Sequence, residues 1–183
     1  MRGRPRKPPV PLDEEGLFTY AVKLLGQQMR TVAEVKRLLR RRIEPGATGE
    51  AQLEAVIARL IERRYLDDTG YAQDYAKLRQ ENASFGRRRV QKDLMRKGVQ
   101  AEVIAKTLDT AYEGVGEEEL ARRHLERKRI RKPANEKEAA RVARLLMRAG
   151  FSTGAIVRIL KKWDVDDSAL VALESADETE SES

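Results

Sequence analysis

Apolar residues recur at three- and four-residue spacing through the middle of the chain, and no segment alternates as a β-strand does. This pattern predicts about nine α-helices and an all-α fold. The expected spans are 12–27, 31–43, 51–64, 68–82, 86–97, 100–112, 116–131, 135–149 and 152–163. Asp67, Asp68 and Ser152 precede helices as N-caps do, and Gly98 and Gly150 suit helix C-termini.

The helical segments repeat. Val90 and Ile104 are 14 residues apart, as are Val142 and Ile156, and the segments around the two pairs align without a gap. Tyr20-Ala21 precedes Val35 by the same distance as Tyr75-Ala76 precedes Val90. Extending the alignment upstream on this spacing places Val35, Leu39, Ile57 and Ile61 at core positions of the first copy. The first copy carries eight extra residues, and its Pro45, Gly46 and Gly49 predict a loop there.

The repeat predicts three tandem three-helix units that share faces and form an elongated, curved array, because a unit of about 50 residues buries too little surface alone. We expect repeat 1 at 12–66, repeat 2 at 67–113 and repeat 3 at 114–163. A basic arm, 1–11, and an acidic tail, 164–183, flank them. Both flanks lack the apolar residues that folding requires and are expected to be disordered.

Composition excludes several chemistries. The 183 residues include no cysteine and one histidine, so disulfides, cysteine zinc sites and a thiolate nucleophile are ruled out. His124 is expected on a helix surface, with catalysis as the remote alternative. Asp67-Asp68 could hold a metal, but capping is favoured. We therefore expect no enzyme, no metal, no cofactor, no membrane segment and a cytoplasmic location.

The charge is strongly patterned. Lysine and arginine number 37 against 30 acids, giving +7, but the arm carries +4 and the tail −8. Three repeat columns are basic in every copy, more often than chance provides: Arg37, Lys92 and Arg144; Arg41, Arg96 and Arg148; and Arg59, Lys106 and Arg158. Such residues can simply form solvated helix faces, but their recurrence favours a basic stripe that meets an anionic partner.

Denser clusters of basic residues also favour an anionic partner. Arg87, Arg88 and Arg89 start a helix, where an anion is favoured, and Lys97 follows Arg96. Further clusters lie at 40–42 and 127–132. The arm residues Arg2, Gly3, Arg4 and Pro5 have the form of an AT-hook core, which enters a narrow minor groove, although an ordinary basic tail has the same composition.

Several motifs resemble the RecX family of regulatory proteins. They are Tyr65-Leu66-Asp67-Asp68, Tyr71-Ala72, Gly86-Arg87, and the run from Leu94 to Val99 (LMRKGV). The segments Tyr20-Ala21, Leu24-Leu25, Glu34-Val35 and Leu38-Leu39 resemble the first repeat of the family, and Leu145-Leu146 with Gly150-Phe151 match its third. The resemblance covers about residues 12–163.

The resemblance implies a modulator of the RecA recombinase, acting in DNA repair, homologous recombination and the SOS response. Such a protein lodges in the RecA nucleoprotein filament and inhibits its ATPase and strand exchange. The basic residues named above would then contact RecA or, more weakly, single- or double-stranded DNA, and the protein is expected to be a monomer. The alternative is a stand-alone DNA-binding or architectural protein built from helix-turn-helix-like units.

Overall fold

The computed structural model describes residues 10–163, and within them every regular element is an α-helix. The all-α prediction is therefore confirmed. The helices are α1 (Glu14–Leu25), α2 (Val32–Leu39), α3 (Ala47–Glu62), α4 (Asp68–Ala83), α5 (Arg87–Arg96), α6 (Ala101–Ala111), α7 (Glu117–Arg127), α8 (Glu136–Arg148) and α9 (Thr153–Lys162). The basic arm up to residue 9 and the tail 164–183 lie outside the described residues.

The helix ends follow the signals in the sequence. Ser152 caps α9 by accepting from the backbone N–H of Ala155, and Asp67 accepts from Thr69 and Gly70 at the start of α4. Asp68, expected as a second cap, is the first residue of α4, and it accepts from the backbone N–H of Val32. These contacts satisfy N–H groups that have no partner within their own helix.

One expected loop is partly helical. Gly49 was placed in a loop with Pro45 and Gly46, but α3 begins at Ala47 and Gly49 is buried inside it. A Cβ at Gly49 would lie within 3.0 Å of the Glu44 carbonyl oxygen, so only glycine lets the two backbones approach this closely. The glycine thus marks a close contact rather than a turn.

The described chain divides into two compact units. The N-terminal unit comprises residues 10–71 and 96–103, and its core is formed by α1, α2 and α3. Val35, Leu39 and Ile57 are buried there as predicted, and Leu17 is buried with them. Ile61 was expected in the same core, but 48% of it is exposed, because its position on α3 faces an open groove rather than α1.

The C-terminal unit comprises residues 72–95 and 104–163, with a core in which α7, α8 and α9 pack together. His124 was expected on a helix surface, and that expectation was wrong. The imidazole is buried between Phe85 and Phe151, and its Nδ1 lies 2.8 Å from the carbonyl oxygen of Ala83. Burial lowers the pKa of His124, with the cations Lys128 and Arg127 acting in the same direction.

A helix–turn contact recurs once in each unit. In the N-terminal unit the hydroxyl of Thr31, which caps α2, donates to the carbonyl of Lys97 in the α5–α6 turn. In the C-terminal unit the N–H of Gly86, just before α5, donates to the carbonyl of Ala149 in the α8–α9 turn. Thr31 and Gly86 are equivalent by the repeat, as are Lys97 and Ala149. We call this contact the repeat joint.

The boundaries of the three predicted repeats, 12–66, 67–113 and 114–163, are not those of the two compact units, because α4, α5 and α6 contribute residues to both. The joint shows why residues 96–103 belong with α2. Gly98 has a φ of +78°, and a Cβ there would lie within 3.0 Å of the Ala33 Cβ. The turn therefore sits directly against the first turn of α2.

Candidate functional site

The thirteen basic residues proposed from the sequence as partner contacts are mostly on the surface. Ten are exposed: Arg37, Arg41, Arg87, Arg88, Lys92, Arg96, Lys106, Arg144, Arg148 and Arg158. Arg59, Arg89 and Lys97 are half-buried. Exposure alone does not make a binding residue, because an exposed cation can also be held in an ion pair that stabilises the fold.

Two members of the third basic column, Arg59 and Arg158, join helices within their own units. Arg59 on α3 pairs with Glu15 on α1 at 2.5 Å, and its guanidinium lies 4.1 Å from the centre of the Phe18 ring. Arg158 on α9 pairs with Glu118 on α7 at 3.4 Å. A hydrogen bond from Lys162 is the largest cause that lowers the pKa of the Glu118 carboxyl, and the charge of Arg158 acts in the same direction. Both arginines therefore connect the outer helices of a three-helix group.

Two arginines of the cluster at the start of α5 also form ion pairs within the fold. Arg87 pairs with Asp109 at 2.6 Å, and Arg89 pairs at 3.2 Å with Asp93, which is buried and accepts from the Tyr75 hydroxyl. The repeat joint lies at the same helix start, where the carbonyl of Ala149 accepts a hydrogen bond from the N–H of Gly86. The helix start that we expected to attract an anion is thus packed against the α8–α9 turn.

Lys97 belongs to the joint of the N-terminal unit. Its ammonium donates to Glu34 at 3.1 Å and lies 5.4 Å from the Tyr71 ring centre. Burial of the ammonium opposes its charged form, but hydrogen bonds with Tyr71 and Glu34 outweigh the burial and raise the pKa of Lys97. A partner that recruited Lys97 would have to break this pair.

Six of the candidate residues are exposed, and their side chains have no hydrogen-bonding or ionic partner among residues 10–163: Arg37, Arg41, Lys92, Lys106, Arg144 and Arg148. Arg88 and Arg96 are exposed but do engage other groups of the chain. The six are consequently the cations best placed to meet an external anion at little cost to the fold.

The structure adds two residues that sequence comparison missed. Lys137 and Arg141 precede Arg144 and Arg148 on α8 at spacings of four, three and four, and all four are exposed. At 100° per residue they fall within about 60° of arc, opposite the buried Ala139, Val142 and Leu146. We call these four cations the α8 stripe. The helical spacing was visible in the sequence, but the equivalents of Lys137 and Arg141 include Phe85 and Glu34, so neither column is basic throughout.

Net charge is concentrated in one unit. The N-terminal unit has 12 bases and 11 acids, whereas the C-terminal unit has 21 bases and 11 acids. This difference belongs to the described residues alone, because the arm adds four bases before the N-terminal unit and the tail adds eight acids after the C-terminal unit. The nearly neutral N-terminal unit carries instead an open groove of about 780 Å³. Ala33, Ile57, Ile61 and Val103 contribute apolar surface to it, and the Lys36–Glu54 pair lines it as well.

Other site classes find no support among residues 10–163. No group of three or more acidic or histidine side chains there is arranged to hold a metal ion. None of the helices in that range is both long and apolar enough to cross a bilayer. The AT-hook-like residues Arg2, Gly3, Arg4 and Pro5 lie outside the described part of the chain.

Comparison with known proteins identifies the family. The family model described as "RecX, second three-helix domain" matches residues 67–108. A protein named "Regulatory protein RecX" from Leptothrix cholodnii is 33% identical over 144 residues, covering 79% of this chain and 87% of the relative. One of the same name from Myxococcus xanthus is 33% identical over 171 residues, covering 86% and 88%.

A solved structure shares the fold. The crystal structure of RecX from Lactobacillus salivarius superposes with a TM-score of 0.63 at 22% identity, covering 83% of this chain and 97% of that one. This likeness agrees with the all-helical repeat architecture seen here. The two relatives, at 33% identity over most of both chains, establish that the chain belongs to the RecX family of regulatory proteins.

Proposed function

We propose that this protein is a non-enzymatic negative modulator of the RecA recombinase. It binds along the RecA nucleoprotein filament and inhibits ATP hydrolysis and strand exchange. Membership of a family of regulatory proteins named RecX carries the proposal. The exposed cations without a partner in residues 10–163 support it, because a filament that contains DNA presents a long anionic surface.

The two units divide the contacts in this proposal. The C-terminal unit, with its excess of ten bases, supplies the electrostatic contact to phosphates. The N-terminal unit is nearly neutral, so its contribution is to protein recognition rather than to DNA attraction. Arg2, Gly3, Arg4 and Pro5 add a minor-groove contact where the filament borders duplex DNA.

The test is RecA ATP hydrolysis on single-stranded DNA, titrated with this protein at sub-stoichiometric and stoichiometric ratios and at two salt concentrations. We expect hydrolysis to fall well below the protein concentration that coats free DNA. If hydrolysis falls only when the DNA itself is saturated, the protein competes for phosphates and the proposal is wrong.

Variants test the contact residues. Reversing Lys92, Arg144 and Arg148 to glutamate should weaken inhibition at least tenfold, because three attractive contacts become repulsive. The matched control reverses Lys23, Lys77 and Arg123, which are exposed and carry the same charge but lie outside the proposed contact set. Equal loss in both variants would show that net charge alone is responsible.

The second candidate is a stand-alone DNA-binding protein, and the charge of the C-terminal unit favours it. It predicts tight duplex binding without RecA, with a logarithmic salt slope near −0.9 for each neutralised phosphate. The RecA proposal predicts weak DNA binding by the protein alone. A direct titration of duplex DNA with the protein therefore separates the two.

A further inference from the structure

The α8 stripe is a row of like charges whose side chains form no ion pair with the described residues. Lys137, Arg141, Arg144 and Arg148 have no ionic partner among residues 10–163. Cations three and four residues apart on a helix repel one another. By contrast, Arg158 on the neighbouring α9 is paired with an acid of α7. The stripe is therefore a surface on which an anionic segment is favoured.

The acidic tail follows α9, the helix after α8. Residues 164–183 contain eight acids and no base, and they directly follow Trp163, the C-cap of α9. Helix α9 packs against α8 in the same core. An extended chain of this length spans up to about 66 Å, whereas the 13 residues of α8 measure about 20 Å. The tail can therefore reach every cation of the stripe.

Tethering makes the intramolecular contact effective. A short flexible linker holds its ligand at an effective concentration in the millimolar range, so a weak ionic interaction suffices for substantial occupancy. The tail is also attached to the unit with ten excess bases rather than to the nearly neutral one. Charge complementarity and reach therefore both allow the tail to contact the stripe.

We propose that residues 164–183 bind the α8 stripe in the free protein and must be displaced before that stripe contacts another polyanion. The contact itself does not depend on the proposed function. Its consequence does: the tail would then restrain filament or DNA binding until a ligand with denser negative charge takes its place.

The intramolecular contact can be measured without RecA or DNA. Because the chain contains no cysteine, the substitution Ser181→Cys provides one labelling site for a nitroxide on the full-length protein. At about 50 mM salt we expect paramagnetic broadening of the backbone amide signals of α8. Raising salt to about 0.5 M should remove most of it, because screening shortens the range of the interaction.

A pair of matched variants gives the control. Arg144→Glu with Arg148→Glu should abolish the broadening on α8. Arg37→Glu with Arg41→Glu makes the same charge change at the equivalent repeat positions of the N-terminal unit and should leave it intact. Circular dichroism of each variant verifies the fold. Broadening confined to α9, broadening that salt does not change, or equal loss in both variants would overturn the proposal.

Cross-linking and oligonucleotide binding provide two further tests of the contact. A carbodiimide joins carboxylates to amines without a spacer, and we expect it to link tail acids to Lys137 in the monomer; links formed only between copies would contradict the intramolecular contact. A full-length variant with every tail Asp changed to Asn and every Glu to Gln should bind a single-stranded oligonucleotide about 3- to 10-fold more tightly. Unchanged affinity would mean that the tail does not occlude the stripe.

Discussion

Gly98 offers the sharpest test of the repeat joint. It has a φ of +78°, and a Cβ at this position would lie within 3.0 Å of the Ala33 Cβ on α2. Alanine costs about 1–2 kcal/mol for the left-handed backbone and about 1–3 kcal/mol for the steric overlap. Reduced freedom of the unfolded chain returns about 0.4–1 kcal/mol. We expect Gly98→Ala to lower the free energy of unfolding by about 2–4 kcal/mol.

Gly114 supplies the control for the backbone contribution. It has a φ of +67°, but a Cβ there would have no neighbour within 4 Å. Gly114→Ala should therefore cost only about 1 kcal/mol, the backbone strain less the unfolded-state gain. The difference between the two variants measures the packing of the joint.

The assay is urea unfolding of each full-length variant followed by circular dichroism at constant pH and salt. Adding Ala33→Gly to Gly98→Ala removes the atom that the new Cβ meets, so the two changes together should cost less than their separate costs combined. A Gly98→Ala variant no less stable than Gly114→Ala, or strictly additive costs, would refute the joint as described.

Three further predictions concern the ends and the core of the helices. Because burial lowers the pKa of His124 below its ordinary 6.5, the unfolded chain binds the proton more readily; stability should fall as pH drops from about 6.5 toward the lower folded value. His124→Gln should flatten that dependence between pH 5 and 7, and an unchanged profile would exclude the imidazole as its source. Ser152→Ala removes the α9 cap and a 2.6 Å bond to Glu117, and should cost about 1–2 kcal/mol in urea unfolding. Asp68→Ala leaves the Val32 N–H unpaired and should cost about 1–2 kcal/mol, whereas Asp67→Ala, which removes a more exposed cap, should cost less.

The helices could be predicted from the sequence because their signals are local. The 3.6-residue periodicity placed Val35 and Leu39 in the core, and Ser152, Gly98 and Gly150 marked helix ends through their own backbone and side-chain chemistry. The start of α3 was misplaced because Gly49 has two opposite meanings. It can end a helix or permit a close approach, and only the position of Glu44 decides between them.

Whether a charged or polar residue is buried or paired was less predictable, because this depends on partners that are distant in the sequence. His124 is buried by Phe85 and Phe151, and Arg59 is held by Glu15, 44 residues away. Periodicity reports which face of a helix a residue occupies but not which acid lies opposite. The repeated basic columns therefore included residues that stabilise the fold beside residues that remain available to a ligand.

The repeat joint also bears on how many units such a chain can hold. At α2 and α5 the start of the second helix of a repeat receives a turn of the following repeat. The start of α8 carries a local cap, in which Asn135 accepts from the N–H of Glu138 and the Glu138 carboxylate accepts from the N–H of Ala134. Helix α2 carries a similar capping box of Thr31 and Glu34 and still receives the turn. A capped helix start can therefore receive a neighbouring turn, so the caps do not set the number of repeats.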